Sequence, residues 1–206
     1  MTGPHPRAAV PLLLAVMAAG VALVVAGFDA GPPPAPLPSR GFDTTATGAP
    51  RSAVPVERTD YGRDRLVVPS LGIDSLVVPE RVDASGELVV PGDVASVGLW
   101  ADGPGPADRS GTTVLAGHVD RHGDLGALHP LHRIEPNAQV VLTDAAGRPT
   151  RWQVVSLRAV PKDELPIFAT TGPRRLAIVT CGGAIIDTSA GRRYADNVIA
   201  TAVPAQ

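Results

Sequence analysis

From residue 59 onward, apolar residues come in short β-branched runs separated by Gly, Pro, Asn and Asp. Arg65-Leu-Val-Val-Pro69 and Ser75-Leu-Val-Val-Pro79 flank the turn-like Leu71-Gly-Ile-Asp74. Glu87-Leu-Val-Val90 follows, opened by Ser85-Gly86, and then Val97–Trp100. A Gly/Pro loop from Asp102 to Gly111 leads into Thr112–Ala116, apolar enough for a buried strand. Gln139–Thr143 and Arg151–Val160 flank Asp144-Ala-Ala-Gly147, which has the residues of a hairpin turn. Leu176–Thr180 and Asn197–Val203 complete the set. Helical character is confined to Leu125–Arg133, a turn or two. Many short strands with turns at spacings of roughly 8–12 residues predict a closed or sandwich-like all-β domain over residues 59–206. No internal repeat is present.

Ahead of this domain the pattern changes twice. Residues 1–7 are short and polar, with Arg7 the only fixed side-chain charge. Residues 8–28, from Ala8 to Phe28, carry no charge and are rich in Leu, Val and Ala. As a helix this run spans roughly 30 Å, the thickness of a bilayer's hydrocarbon core. It predicts a transmembrane signal anchor with residues 1–7 in the cytoplasm and the rest of the chain outside the cell. A cleaved signal peptide is the rival; its apolar stretch is shorter, and no clean small-x-small site ends this one. Residues 29–58 are dominated by Pro, Gly, Ala and small hydroxyl residues, with no apolar periodicity. Such a segment buries too little surface to offset chain entropy, so a disordered, partly extended spacer is expected.

Composition narrows the function. Of 206 residues, 44% are hydrophobic but only 3% aromatic, so the core must rest on Val, Leu, Ile and Ala. The formal net charge is -2 and no long basic run exists, which argues against a nucleic-acid partner. A single cysteine, Cys181, excludes an intrachain disulfide. A free cysteine is often a small buried hydrophobe. This one stands at the end of an apolar run, Arg175-Leu-Ala-Ile-Val-Thr-Cys-Gly-Gly183, where the two glycines leave the sulfur uncrowded.

A second apolar run, Thr112-Thr-Val-Leu-Ala-Gly-His-Val-Asp120, delivers His118 at its end. Gly191-Arg-Arg-Tyr-Ala-Asp-Asn-Val-Ile199 places two arginines before the last predicted strand. The set is chemically coherent. The thiolate is the nucleophilic form of cysteine, and a nearby histidine exchanges protons with it and with a leaving amine. An arginine cannot act as a base, but it holds a carbonyl oxygen or an oxyanion.

The chain here resembles the sortases. Leu176-Ala-Ile-Val-Thr-Cys181 is similar to their T-L-x-T-C signature. Leu115–Asp120, Thr180–Gly183 and Tyr194-x-Asp-Asn-Val198 resemble the actinobacterial class F branch. The likeness runs from about Arg65 to Val203. It implies a closed eight-stranded β-barrel with one or two short helices. It also implies a cysteine transpeptidase that cuts a C-terminal Leu-Pro-x-Thr-Gly-like signal between Thr and Gly. The acyl group then passes through a thioester to an amine of the cell-wall precursor. The resemblance makes Cys181 the nucleophile and His118 the general acid/base. Class F relatives often read Tyr-Arg-Asp-Asn where this chain has Tyr194-Ala-Asp-Asn197. The arginine role therefore falls to Arg193, which shares strand parity with Asn197, or second to Arg192. Thr180 and Gly182 flank the thiol as expected substrate contacts. In Val160–Phe168, the loop before the cysteine strand, Leu165, Pro166, Ile167 and Phe168 form an apolar patch expected to take the Leu-Pro part of a signal; ordinary loop packing is the alternative.

Other classes fit less well. Papain-like enzymes place Cys before His and carry signatures absent here. Caspase-like enzymes use α/β sheets, and the sequence context of an L,D-transpeptidase is missing. His118, His122, His129 and His132 are close in sequence, but no H-E-x-x-H pattern appears, so neither a metal nor a cofactor is expected. A membrane-tethered β-domain without catalysis is the non-enzyme alternative, and it predicts an unreactive Cys181.

Overall fold

A computed structural model describes residues 60–84, 87–189 and 191–206. The expected cytoplasmic segment (1–7), anchor (8–28) and spacer (29–58), and the start of the domain at residue 59, lie outside them. Among the described residues no helix is long and apolar enough to cross a membrane.

The strands are β1 (Arg65–Val68), β2 (Ile73–Glu80), β3 (Val97–Trp100), β4 (Thr112–Gly117), β5 (Asp120–Arg121), β6 (Asp124–Leu125), β7 (Gln139–Thr143), β8 (Pro149–Pro161), β9 (Arg175–Thr188) and β10 (Gly191–Pro204). Eight of them close a barrel in the order β1-β2-β3-β4-β9-β10-β8-β7; β5 and β6 form a separate two-stranded ribbon. Two neighbouring pairs, β2–β3 and β4–β9, are parallel. Each needs a long crossover, and the second supplies the frame of the site.

Period-two alternation decides what is inside. Leu66 and Val68, Leu115, Val140 and Leu142, Leu176 and Ile178, and Val198 and Ala200 point into the barrel with Trp152 and Val154. Trp152 is buried but not left unsatisfied: its Nε1 donates to Thr150 Oγ1 at 3.0 Å. The opposite parity on β4, β9 and β10 forms a smaller apolar cluster of Val114, Ala177, Val179 and Ile199 on the outer wall.

Four expectations change. Glu87–Val90 is not a strand: β2 and β3 pair directly, so this run finds no ladder and makes only an isolated bridge, Leu88 to Val82. Leu125–Arg133 gives no α-helix. Leu125 ends β6, and the helical part is His129–Arg133, a 3-10 turn with Pro130 in its first positions. Further 3-10 turns span Pro69–Leu71 and Lys162–Glu164. The third change concerns the ends of β9 and β10, which are 14 residues each and run past the barrel as a paired ribbon. Cys181 is thus inside β9 rather than at its last residue. The fourth is that the two arginines, expected before the last strand, belong to β10, with Arg192 opposite Asp187 and Arg193 opposite Ile186.

The ribbon leaves the barrel through a bulge. Between the pairs Tyr194–Ile185 and Asp196–Gly182, β9 has one residue more than β10. Gly183 takes φ 79°, a left-handed conformation that a side chain disfavours, and a Cβ there would collide with the Asp196 carboxylate.

Candidate active site

The parallel pair β4–β9 sets the geometry. Ala116 lies opposite Val179, both on the outer face. Two residues further along each strand come His118 and Cys181, with the same parity and therefore on the same face. Between them Thr180, buried, donates its Oγ1–H to Gly117 O at 2.8 Å. That bond bolts the two strands together one residue before the thiol and one before the imidazole. Thr180 thus positions the pair and is turned away from the outer face where a substrate would lie.

His118 is held from three sides. Its carbonyl accepts from Leu128 N at 3.1 Å. Gly126 lies so close that a Cβ there would strike the His118 backbone. Its ring Nε2 is 3.1 Å from Pro91 O. A carbonyl only accepts, so Nε2 carries a proton and Nδ1 is the nitrogen left to exchange one. Among the described residues no hydrogen bond joins the imidazole to the thiol.

Cys181 is half-buried and faces Asn197 directly across the β9–β10 ladder. Its sulfur accepts a hydrogen bond from Lys162 Nζ at 3.3 Å, and the same ammonium reaches Asn197 Oδ1 at 3.3 Å. Lys162 opens the 3-10 turn that follows β8. β8 pairs with β10 as far as Pro161 opposite Asp196, so the ladder itself carries Lys162 to the level of the thiol.

Thiol, imidazole and ammonium border one cavity of about 740 Å³, together with Glu87, Asp120, Ile185, Arg192, Arg193 and Tyr194. Tyr194 O–H donates to Asp120 Oδ2 at 2.5 Å, tying the loop after His118 to the β10 ribbon. This bond, aided by burial and by the charges of Asp120 and Cys181, pushes the Tyr194 phenol up to about 12. The phenol remains a neutral donor throughout the neutral range.

The candidates from sequence separate into two groups. Cys181, His118 and both arginines meet at the cavity. Among the described residues neither arginine hydrogen-bonds the sulfur, and Arg192 lies 4.0 Å from the Asp187 carboxylate, both well exposed. Gly182 does not open toward a substrate: a Cβ there would run into Val198, whose side chain is buried in the core. In the loop before β9, Leu165 and Ile167 are exposed, Ile167 at 99%. Pro166 is likewise exposed. Only Phe168 packs, against the outer cluster of Val114, Ala177, Val179 and Ile199. The four-residue patch is therefore one anchored ring and three solvent-facing residues.

The Val198 contact changes what Gly182→Val does. Overpacking of this kind costs about 1–3 kcal/mol. The variant is expected to unfold at lower denaturant concentration and to lose activity as the strand carrying the thiol shifts. A denaturant melt that matches the parent would refute the clash.

Lys162 is the group that sequence reasoning missed. It stands in Val160-Pro-Lys-Asp-Glu-Leu165 with no motif around it. Yet one signal was available: the chain has 18 Lys and Arg residues, and Lys162 is the only lysine among them.

Comparison with curated proteins returns no match. Among solved structures, a Clostridium perfringens sortase D5 transpeptidase is similar with TM-score 0.51 and 14% identity, covering 69% of this chain and 78% of that one. Listeria monocytogenes sortase A gives TM-score 0.51 and 17% identity, covering 69% and 86%. Streptococcus agalactiae sortase C1 gives TM-score 0.55 and 14% identity, covering 69% and 67%. At such identities the likeness is one of fold, and the eight-stranded barrel is what is shared. The sequence itself goes further: residues 66–205 match the sortase domain, and the chain belongs to the sortase family of cysteine transpeptidases.

Proposed function

We propose that this enzyme cleaves a Leu-Pro-x-Thr-Gly-like sorting signal between Thr and Gly and transfers the acyl part to an amine of the cell-wall precursor. One observation carries the substrate reading. The cavity of about 740 Å³ where Cys181 and His118 meet is bordered by Ile185, an exposed apolar side chain on the ribbon just beyond the thiol. An extended peptide laid in this cavity would set an apolar side chain against Ile185 and bring a neighbouring carbonyl to the sulfur. Burying a leucine-sized side chain there is worth about 1.5–3 kcal/mol, which suits a Leu-Pro element ahead of the scissile bond.

The chemistry follows from the thiol and the imidazole that border the same cavity. The Cys181 thiolate attacks the Thr carbonyl carbon; a C–S bond forms and the carbonyl π pair moves to oxygen. Collapse breaks the C–N bond, and the leaving amine takes a proton from His118 Nδ1. The incoming amine then attacks the thioester, gives its proton to the imidazole, and expels the thiolate. No metal or cofactor enters this balance. The uncharged run Ala8–Phe28 supports a single-pass anchor that holds the domain on the outer side of the cell membrane.

The test is a panel of quenched signal peptides incubated with the purified full chain, with and without an oligoglycine amine. Products are mapped by mass spectrometry. Cleavage between Thr and Gly with transfer to the amine is expected. Cleavage that ignores the amine would make the enzyme a hydrolase, and an uncut panel would remove the sorting-signal reading.

A further inference from the structure

We propose that Lys162, and not an arginine, is the cation that stabilises negative charge on the sulfur and on the oxygen of the tetrahedral intermediate. The inference deepens the acyl-transfer reading above and rests on it for the oxyanion. The first observation is contact. Lys162 Nζ is 3.3 Å from Sγ, whereas neither Arg192 nor Arg193 hydrogen-bonds the sulfur. The second is that the ammonium is aimed. Asn197, opposite Cys181 in the ladder, accepts from the same nitrogen at 3.3 Å and fixes it over the thiol. An ammonium has three donors, so with two committed one remains for a substrate oxygen.

The third is support from the backbone. Lys162 follows directly on β8, whose last residue is held in register by β10. The lysine is half-buried, so its charge is less screened than one on an open surface. The arginines lie farther out, on the ribbon beyond the Gly183 bulge, and Arg192 has an exposed carboxylate, Asp187, opposite it.

Composition agrees. Every other cationic side chain in the protein is an arginine. A compact point charge on a flexible stem suits a contact with one sulfur and one developing oxygen. The planar fork of an arginine suits paired acceptors.

Two readouts test the assignment. The first is turnover of a cleaved signal peptide by Lys162→Met, Lys162→Arg and Arg193→Ala, with thermal melts on each. Loss of one oxyanion donor lowers kcat by roughly 10²–10³-fold. Lys162→Met is expected to fall in that range while melting like the parent. Lys162→Arg is expected to recover part of the loss, because a cation returns without the matching shape. Arg193→Ala is expected to lose at least tenfold less than Lys162→Met. A Lys162→Met enzyme with parental kcat would overturn the proposal, as would a larger loss for Arg193→Ala.

The second readout needs no substrate. The ammonium 3.3 Å from the sulfur stabilises negative charge there during alkylation, so iodoacetamide should label Cys181 several-fold more slowly in folded Lys162→Met than in the parent. If no peptide in the panel is cut, this arm still decides. Slower labelling supports the contact with the sulfur, and equal rates refute it whatever the substrate proves to be.

Discussion

Cys181→Ala is expected to leave no measurable cleavage of a signal peptide and no trapped acyl-enzyme on hydroxylamine challenge. The size of the effect follows from the chemistry. This is the only sulfur nucleophile in the chain, and no hydroxyl is seen to stand in its place. Thr180, next to it in the chain, is turned inward and bonded to Gly117, and the Tyr194 hydroxyl at the same cavity is bonded to Asp120. Without a covalent intermediate the route through a thioester closes altogether, and any residual rate reflects binding alone. The fold should persist, because the half-buried thiol contributes little to the core; its bonded neighbour, Lys162, sheds a hydrogen bond and keeps Asn197. A melting curve near that of the parent, beside zero turnover, is the expected pair of results. Appreciable turnover in the alanine variant would place the nucleophile elsewhere.

His118→Ala is expected to lower kcat by roughly 10²–10⁴-fold, the range for removal of a positioned acid/base. The geometry permits a finer test. Because Nε2 is committed to Pro91 O, proton exchange falls to Nδ1. His118→Gln retains a donor able to reach Pro91 O but has nothing that titrates. It should keep the fold and still lose turnover. The loss should also depend on the leaving group. An amide substrate needs a proton on its departing amine, whereas a thioester or activated ester does not. Both variants should therefore be far less impaired on the activated substrate. Equal impairment on both would mean that His118 only orders the loop.

How much of this was legible beforehand depends on the kind of interaction. Runs such as Gln139–Thr143 appear with their expected bounds, because alternation across a barrel wall is a local property of the sequence. Glu87–Val90 has the same local pattern and fails, since a strand also needs a free edge beside it and β2 and β3 leave none. The glycine pair after Cys181 reads as room around the sulfur. In the fold one of the two accommodates Val198 and the other forms a bulge through which the strand continues. His118 and Cys181 stand out because each follows an apolar run that must be a strand. Lys162 does not, because its meeting with the thiol depends on β8, β9 and β10 lying side by side, and nothing in Val160–Leu165 records that pairing. The arginines drew attention by their nearness in sequence to Asn197, but the ribbon carries them outward.

The single lysine has a consequence for handling the protein. An enzyme that joins acyl groups to amines is surrounded, in most proteins, by its own surface lysines as unwanted acceptors. Here the surface cations are guanidinium groups, too weakly nucleophilic to compete. Beyond the N-terminal amine, the sole primary amine is held at the sulfur. Preparations should stay free of self-ligated products over long incubations. For the same reason an amine-directed dye or crosslinker meets one internal position only. Its attachment there would report on the occupancy of the cavity, because a bound peptide covers Lys162 and leaves every other amine-reactive site on the domain as it was: absent.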